Sequence, residues 1–475
     1  MTTVAASGLW PPQRRAVQFL RSLGNCGALG AEVGVGKTSV AAVVSRPYRR
    51  VLIVTPVSSL GVWRKEALRL GLSMPVLTLD SGSSAQKIAQ VRAFGDGWIV
   101  TNYETFWRPP LFAALADWGP QYVIWDEFQR LRYHTSKQSK EAAKLRQWKT
   151  VQAAVGLSGT PITKGYEGLF GMFRAVNPNV FGLRWGTFLG QYVNMVNMGD
   201  YNKVIGYKNT DDLFKRLDKN MIQIAKSEAL PWLPKERDVF VPVELTPESR
   251  KRYREFAREA VMQISGESDG YTVEGTALAR IALTTLLRLQ QLTSGFIKTE
   301  DEGELIVSDE KLRACVDLVR TIRDSEKSVV IFYRFNMDRK RLEEALSREM
   351  KERIAVLMGE MKPRDQQLTL DRFFAKKDRI ILCQIHKAIG INELVAASDA
   401  IFYSTGYSLE DFVQAKGRIH RPGQTEPVTY YHLIVERSVD EKVYAALQAN
   451  IDLARSFIRL DYARGFLADE KRPVD

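Results

Sequence analysis

Residues 31–38 read AEVGVGKT, and they decide how the rest of the sequence is interpreted. An apolar stretch precedes them, and the helix-forming run SVAAVV follows at 39–44. Gly34 and Gly36 would let backbone amides turn inward on an anion, and the start of the helix adds partial positive charge. The stretch therefore predicts a phosphate-binding loop, although Ala31 stands where the usual pattern has glycine.

Polar side chains in and before this loop are the predicted nucleotide ligands. Lys37 would reach the outer phosphates, and the Thr38 hydroxyl would hold Mg²⁺, with Ser39 beside them. Gln13 follows Pro11-Pro12 at a predicted helix start and carries both the donor and the acceptor that reading an adenine edge requires. The predicted cofactors are ATP and Mg²⁺. A glycine-rich turn that happens to end in Gly-Lys-Thr is the alternative for the loop, and ordinary capping is the alternative for Gln13.

An acidic pair follows the apolar run 122–125. Asp126 would hold Mg²⁺, directly or through water, and Glu127 would orient and deprotonate the attacking water. A helix-capping acidic pair is the alternative. Because Lys37 and Thr38 also occur, the combination predicts ATP hydrolysis.

Apolar runs alternate with helical segments along the chain. The runs 51–54, 98–104, 122–125 and 153–157 read as buried parallel strands with polar residues at their carboxyl ends. This pattern is typical of the doubly wound α/β class, in which ligands collect at those ends. A chain of 475 residues is too long for a single core, so two large domains are expected.

The second half of the chain has its own diagnostic stretch, QAKGRIHRPGQ at residues 414–424. Arg418 and Arg421 are three residues apart, so on a helix they would share one face and converge on a triphosphate. Guanidinium groups would meet the charge that builds on the transferring phosphoryl oxygens. The pair is therefore predicted to act as arginine fingers, and a generic basic helix is the alternative.

Taken in order, these motifs resemble helicase superfamily two, specifically its Swi/Snf-type double-stranded-DNA translocases. The resemblance spans residues 9–447 and implies an α/β fold of two RecA-like doubly wound parallel-sheet lobes with helical protrusions between them. The residues that carry it are Gln13, Gly34–Thr38, Thr55-Pro56, Tyr103-Glu104, Asp126-Glu127, Gly159-Thr160-Pro161, the stretch 233–243, the helix around 286–291 and the stretch 414–424.

The resemblance also implies further site residues. Gly390 and Gln414 would join the nucleotide site. Strand-end and turn roles are the alternative for Thr55, Tyr103 and Thr160. The residues implied to face nucleic acid or to couple it to ATP are Thr55, Pro56, Tyr103, Gly159, Thr160 and Asn392.

Some positions depart from the family pattern. Phe128-Gln129 replaces the common Ala-His, which puts the relay from ATP to Thr160 in question. Ala388 stands for a glycine, and Glu393 follows Asn392 where the family prefers an apolar residue. The segment 403–408 lacks the usual Asp and Trp, which puts its grip on DNA in question.

The predicted domains follow from this order. Residues 1–245 form the first ATP-binding lobe, with a helical protrusion at about 164–226. Residues 246–308 form a helical linker, and 309–475 form the second lobe with C-terminal helices.

Composition favours a polyanionic partner. The chain has 68 Lys and Arg against 55 Asp and Glu, a net charge of +13, and the basic residues are spread among acidic ones. That distribution suits a groove that follows a phosphate backbone, and an ordinary soluble basic protein is the alternative. The resemblance implies that the partner is DNA, with duplex favoured. Three cysteines without CxxC spacing and four scattered histidines predict neither a disulfide framework nor a zinc site.

The N-terminus shows no signal-peptide pattern, so a cytoplasmic location is expected. A monomer would suffice, since both lobes lie in one chain. The sequence thus predicts an ATP-dependent translocase that moves along duplex DNA and remodels protein–DNA or DNA structures. A strand-separating DNA or RNA helicase of the same superfamily is the first alternative, and a non-catalytic nucleic-acid-binding scaffold is the second.

Overall fold

The computed structural model describes residues 8–159, 165–197, 202–265, 275–298, 303–358, 361–388 and 391–449. The chain divides into two compact units, 1–231 and 232–475. Each unit contains its own large parallel sheet, which confirms the predicted α/β class with two doubly wound lobes. Within the described residues, no helix is both long and apolar enough to cross a bilayer.

The first unit is built on a sheet of seven strands, and every neighbouring pair in it is parallel. The central strands are buried apart from the half-buried Arg50 at the start of one of them, and they are rich in β-branched residues, as a sheet covered on both faces requires. In sheet order the strands are β3 (Val76–Thr78), β4 (Gly97–Asn102), β2 (Arg50–Thr55), β5 (Tyr122–Asp126), β6 (Ala153–Ser158), β1 (Gly27–Ala31) and β9 (Met221–Ile224).

Helices connect these strands. Proline opens α1 and α5, where its fixed φ suits the first helical turn. The helices are α1 (Pro11–Ser22), α2 (Lys37–Val44), α3 (Leu60–Arg69), α4 (Ser84–Ala93), α5 (Pro109–Trp118), α6 (Lys137–Arg146), α7 (Glu167–Val176), α8 (Trp185–Tyr192), α9 (Thr210–Asn220) and α10 (Lys226–Ala229), with 3₁₀ turns at Val57–Ser59 and Phe128–Leu131.

The stretch 164–226 differs from its mostly helical prediction. It contains an antiparallel hairpin of β7 (Val193–Asn197) and β8 (Asn202–Tyr207), and its last strand, β9, joins the main sheet beside β1. β-branched residues in these short segments favour strand over helix. Four of its aromatic residues lie in the core of the unit, namely Phe170, Phe173, Phe181 and Phe188.

The second unit has a sheet of six strands, again with only parallel neighbours among its recorded pairs. A separate hairpin joins β11 (Phe296–Lys298) and β12 (Glu304–Ile306). In sheet order the strands are β10 (Glu236–Val243), β17 (Val428–Val435), β16 (Asp399–Phe402), β13 (Val329–Tyr333), β15 (Ile380–Gln384) and β14 (Ile354–Leu357).

The helices of this unit pack on both the sheet and one another. They are α11 (Pro247–Ser265), α12 (Gly275–Thr293), α13 (Glu310–Asp324), α14 (Asn336–Met350), α15 (Pro363–Phe374), α16 (Leu409–Ile419) and α17 (Val439–Gln448), with 3₁₀ turns at Ile385–Lys387 and Glu393–Ala396.

The division between the units lies earlier than the sequence places it. Residues 232–245 were assigned to the first lobe, but β10 pairs with β17 along its whole length, from Glu236 opposite Val428 to Val243 opposite Val435. Partners almost two hundred residues apart leave no local signal, because strand pairing is decided by the finished sheet.

Candidate nucleotide site

The phosphate loop connects β1 to α2 and has the backbone geometry that its glycines permit. Gly34 and Gly36 have φ of +92° and +85°, and Gly36 is the residue that precedes the first turn of α2. A Cβ at Gly36 would collide with the side-chain amide of Gln13, so no larger residue fits. No described side chain caps α2 at Gly36, which leaves a helix start suited to an anion.

Gln13 ties this loop to α1. Its Oε1 accepts a hydrogen bond from the backbone N–H of Trp10 at 3.0 Å, and its Nε2 donates to the carbonyl of Val35 at 2.7 Å. The side chain is buried, so these bonds are shielded from water. The sequence predicted Gln13 as an adenine reader, and the structure gives it a further role in holding the loop closed.

Lys37 lies between the loop and the acidic pair. Its Nζ donates to the carbonyl of Ala31 at 2.9 Å and is 4.0 Å from Oε1 of Glu127. A Cβ added at Gly159 would stand 3.4 Å from the same Nζ. The structure therefore brings Lys37, Glu127 and Gly159 to one place at the carboxyl end of the sheet.

Asp126 ends β5 and is buried among hydrogen-bond donors. Its Oδ2 accepts from Thr55 Oγ1 at 2.7 Å and from Trp63 Nε1 at 3.3 Å. Burial, and then the neighbouring Glu127 carboxylate, raises the pKa of Asp126 to about 6, although Thr55 and Lys37 act in the opposite direction. A divalent cation would compensate this partly shielded carboxylate, so the donor set fits Mg²⁺. The sequence gives no signal for Trp63.

Glu127 is held in a left-handed turn, with φ of +54°, directly after β5. Its Oε2 accepts from Gln129 Nε2 at 2.7 Å and from the backbone N–H of Gly159 at 3.4 Å. The unusual Gln129 thus orients the predicted water-activating carboxylate and links it to the start of the Gly159-Thr160-Pro161 segment. Phe128 is fully buried and packs on Gly156, where any Cβ would overlap its ring.

The other predicted ligands of the first unit have varied surroundings. Thr38 is half-buried beside Lys37. Ser39 Oγ donates to Glu66 Oε1 at 2.6 Å and accepts from Arg69 Nη2 at 2.9 Å, so the protein already uses this hydroxyl.

The residues implied to face or couple nucleic acid divide by burial. Thr55 and Tyr103 are fully buried, and Pro56 is buried as well. The Tyr103 hydroxyl donates to the backbone carbonyl of Asp126 at 2.9 Å. Thr55 and Tyr103 therefore brace Asp126 and offer no surface to DNA in this conformation, which favours coupling over direct contact. Thr160 lies outside the described residues.

The predicted arginine pair does not share a helix face. Arg418 lies in α16, which ends at Ile419, whereas Arg421 lies beyond the helix. The reason is Pro422, since the residue before a proline is disfavoured in the α conformation. Arg418 Nη2 donates to Gln414 Oε1 at 3.0 Å, and Arg421 Nη1 donates to Oδ1 of the exposed Asn392.

The surroundings of Arg421 affect its pKa in opposite directions. Burial lowers the pKa of Arg421, while Glu393 acts to raise it. Gly390 lies outside the described residues. The catalytic and ligand-binding roles of all these side chains stay predictions.

Known protein families and individual proteins match most of this chain. A model of the SNF2-related domain matches residues 12–294, and a model of the helicase conserved C-terminal domain matches residues 310–423. An uncharacterized ATP-dependent helicase of Mycoplasma genitalium is 23% identical over 447 residues, which are 91% of this chain and 40% of that protein. The DNA annealing helicase and endonuclease ZRANB3 of Mus musculus is 25% identical over 468 residues, 94% of this chain and 40% of that protein.

A solved structure also aligns with nearly the whole chain. The SWI2/SNF2 ATPase core of Sulfolobus solfataricus in complex with dsDNA aligns over 98% of this chain and 95% of that chain, with 19% identity and a TM-score of 0.43. This chain spans less than half the length of the curated relatives that it matches. The SNF2-related match covers more than half of the sequence, and the chain therefore belongs to the SNF2-related family, as the order of its motifs predicted.

Proposed function

We propose that this protein hydrolyses ATP with Mg²⁺ and uses the energy to move along duplex DNA. The observation that supports this most directly is the meeting of Lys37, Asp126 and Glu127 in the first unit, with Lys37 Nζ 4.0 Å from Glu127 and Asp126 buried beside them. Lys37 precedes the adjacent pair Asp126-Glu127 by more than eighty positions, so its convergence with that pair is a property of the fold.

Each group has a distinct role in the proposed hydrolysis. The loop amides and Lys37 hold the phosphates, and Thr38 and Asp126 hold the magnesium ion. When bound, Mg²⁺ neutralises charge on the phosphate oxygens. Glu127 orients the attacking water and accepts its proton, and Gln129 fixes this carboxylate by the 2.7 Å hydrogen bond.

The second unit would supply Arg418 and Arg421 to the charge that develops on the transferring phosphoryl group. Both guanidinium groups have side-chain amide acceptors at present, Gln414 for Arg418 and Asn392 for Arg421. A neutral amide is a weaker partner than a phosphate oxygen, so a bound triphosphate would be the stronger acceptor for either arginine.

Duplex DNA is the proposed track. The net charge of +13 favours binding to a phosphate backbone with little dependence on base sequence and with strong dependence on salt. The relative from Mus musculus carries DNA annealing helicase in its name, and a relative from Homo sapiens is named DNA excision repair protein ERCC-6-like. DNA is therefore favoured over RNA for this chain.

The decisive experiment measures the ATPase rate at low salt without nucleic acid and with single-stranded DNA, blunt duplex DNA or duplex RNA. Stimulation mainly by blunt duplex DNA supports the translocase, whereas stimulation mainly by single strands or RNA favours a strand-separating helicase, which unwinding of a forked duplex would establish. Lys37→Ala should abolish turnover, and Lys149→Ala, at an exposed position outside the site, serves as the matched control. Nucleic-acid binding without turnover under any condition would make the chain a scaffold.

A further inference from the structure

The arginine segment of the second unit is attached to the stretch of chain that enters that unit. His420 lies between Arg418 and Arg421, and its Nε2 is 2.7 Å from the backbone carbonyl of Pro234. A carbonyl oxygen only accepts, so Nε2 carries the proton and donates it. The His420 side chain is 9% exposed, and its Nδ1 lies 3.1 Å from a carboxylate oxygen of Glu236.

A second attachment holds the other side of Arg418. Lys416 Nζ donates to both carboxylate oxygens of Asp238, each at 2.9 Å. Asp238 also accepts from Nε2 of the buried His432 at 2.7 Å. Burial alone would raise the pKa of Asp238, but the hydrogen bonds from His432 and Lys416 lower it overall, so this carboxylate stays ionised.

The partner side of both attachments is rigid. Pro234 lies two residues before β10, and Asp238 lies within this strand, which pairs with β17 over its full length. Arg237 Nε adds a bond to Thr429 Oγ1 at 3.1 Å. The Lys416 ammonium lies 4.5 Å from the centre of the Tyr430 ring, and the Tyr430 hydroxyl donates to the carbonyl of Lys416 at 2.8 Å. The end of α16 is therefore fastened to the edge strand β10 and to its neighbour β17.

We propose that Asp238 and His420 are positioning residues, which fix the end of α16 and thereby the directions of Arg418 and Arg421. The inference rests on the proposed function, because it takes these arginines to serve ATP hydrolysis. Residues 232–238 follow directly after the boundary between the units at Pro231. A displacement of this stretch during the ATP cycle would reach Arg418 and Arg421 through the Lys416 and His420 contacts.

Stability does not depend mainly on these contacts. The paired strands and the buried core hold β10 and β17 together, whereas Asp238 is 37% exposed and its ion pair with Lys416 is partly screened by solvent. Loss of either attachment should leave the fold intact and loosen the helix end. Small errors in the placement of a catalytic group reduce the rate strongly, since catalysis depends on orientation.

The test compares His420→Gln with His420→Asn in the full chain. The glutamine amide nitrogen reaches about as far as Nε2 and can still donate to Pro234, whereas the asparagine amide reaches only as far as Nδ1. In His420→Asn we expect kcat of the duplex-stimulated ATPase to fall about tenfold, with unchanged KM for ATP and unchanged melting temperature. His420→Gln should remain within about twofold of the wild type.

The second attachment is tested by Asp238→Asn, Lys416→Met and the double variant. Each single variant should lower kcat, and the double variant should lower it no further, because the two residues act as one pair. Asp317→Asn is the matched control, since Asp317 pairs with Arg320 at 2.8 Å on α13, remote in sequence from the arginine segment.

Four outcomes decide the inference. Wild-type kcat in both His420→Asn and Asp238→Asn would overturn it, and so would equal losses in His420→Asn and His420→Gln that follow a lowered melting temperature. A wild-type chain that does not hydrolyse ATP would overturn the proposed function, and this inference with it. The expected pattern, in which kcat falls while KM and melting temperature hold, would support positioning by these residues.

Discussion

Both units bury an aspartate near the carboxyl end of the parallel sheet, and two of these residues, Asp126 and Asp338, look alike by several measures. Asp126 ends β5, and Asp338 lies in the first turn of α14, directly after β13. Burial is the main cause that raises the pKa of each to about 6. Each also accepts a hydroxyl hydrogen bond, Asp126 from Thr55 and Asp338 from Ser404.

Their surroundings separate them. Asp126 has a second carboxylate, Glu127, beside it and Lys37 nearby, and its side chain retains slight exposure at 8%. Asp338 is fully buried, with Lys311 as a nearby charge, and it accepts from the backbone N–H of Phe335 at 3.2 Å, which caps its own helix. A raised pKa therefore does not identify a functional site by itself. A functional site is identified by the arrangement of neighbouring charges and by whether a cation can reach the carboxylate from solvent.

The largest expected effect distinguishes the two aspartates by activity. Asp126→Asn should lower the duplex-stimulated ATPase rate by about 100-fold or more, because a neutral amide cannot hold a divalent cation as a carboxylate does. Asp338→Asn should keep kcat within about twofold of the wild type, because Asp338 serves the helix and not the reaction. Steady-state ATPase assays on variants with native circular dichroism measure both. An equal loss of ATPase rate in the two variants would show that Asp126 and Asp338 do not differ in their importance for the reaction.

Much of the first site was predictable from sequence because its chemistry is local. The loop 31–38, the pair Asp126-Glu127 and the four apolar runs are each recognisable within a few residues. The runs form strands of one sheet, and the loop and the acidic pair lie at the carboxyl end of that sheet. Their neighbours were not predictable. The bond from Gln13 to Val35 joins residues 22 positions apart, and the bond from His420 to Pro234 spans 186.

The arginine segment shows an error that local information could have prevented. The prediction placed Arg418 and Arg421 on one helix face, but Pro422 was visible in the sequence and already disfavours a helical Arg421. The β10–β17 pairing could not have been predicted from local information, because nothing near Glu236 indicates its partner strand.

The second prediction concerns pH and stability. The pKa of Asp338 is raised from 3.8 to about 6 in the folded state, so the folded chain binds this proton more tightly than the unfolded chain. Its contribution is fully present below about pH 4 and is lost as pH rises through about 6, a change of about 3 kcal/mol in the free energy of unfolding. Urea unfolding at pH 4.5 and 7.5 should show this dependence reduced in Asp338→Asn. An unchanged pH dependence would mean that Asp338 does not titrate as inferred.

A third prediction concerns the packing next to the pair Asp126-Glu127, where Phe128 lies against Gly156. Gly156→Ala places a Cβ against the ring of the fully buried Phe128 and should destabilise the fold by about 1–3 kcal/mol. Phe128→Ala should also destabilise it, by opening a cavity. The double variant should be more stable than the sum of the two losses implies, and unfolding in urea measures all three free energies. Simple additivity would show that the two residues do not constrain each other.

The smallest expected effect comes from removing the hydroxyl that donates to each aspartate, that of Thr55 for Asp126 and that of Ser404 for Asp338. The Thr55 hydroxyl lowers the pKa of Asp126, and the Ser404 hydroxyl lowers that of Asp338. Thr55→Val should therefore move the acid limb of the ATPase rate profile to higher pH by up to about one unit, or about 1.4 kcal/mol, while Thr55→Ser keeps the hydroxyl and the profile. Ser404→Ala should leave that limb in place and change only the pH dependence of unfolding. A shifted pH–rate profile in Ser404→Ala would show that the protonation of Asp338 also affects catalysis. Asp126 and Asp338 could then no longer be separated into a site carboxylate and a structural one.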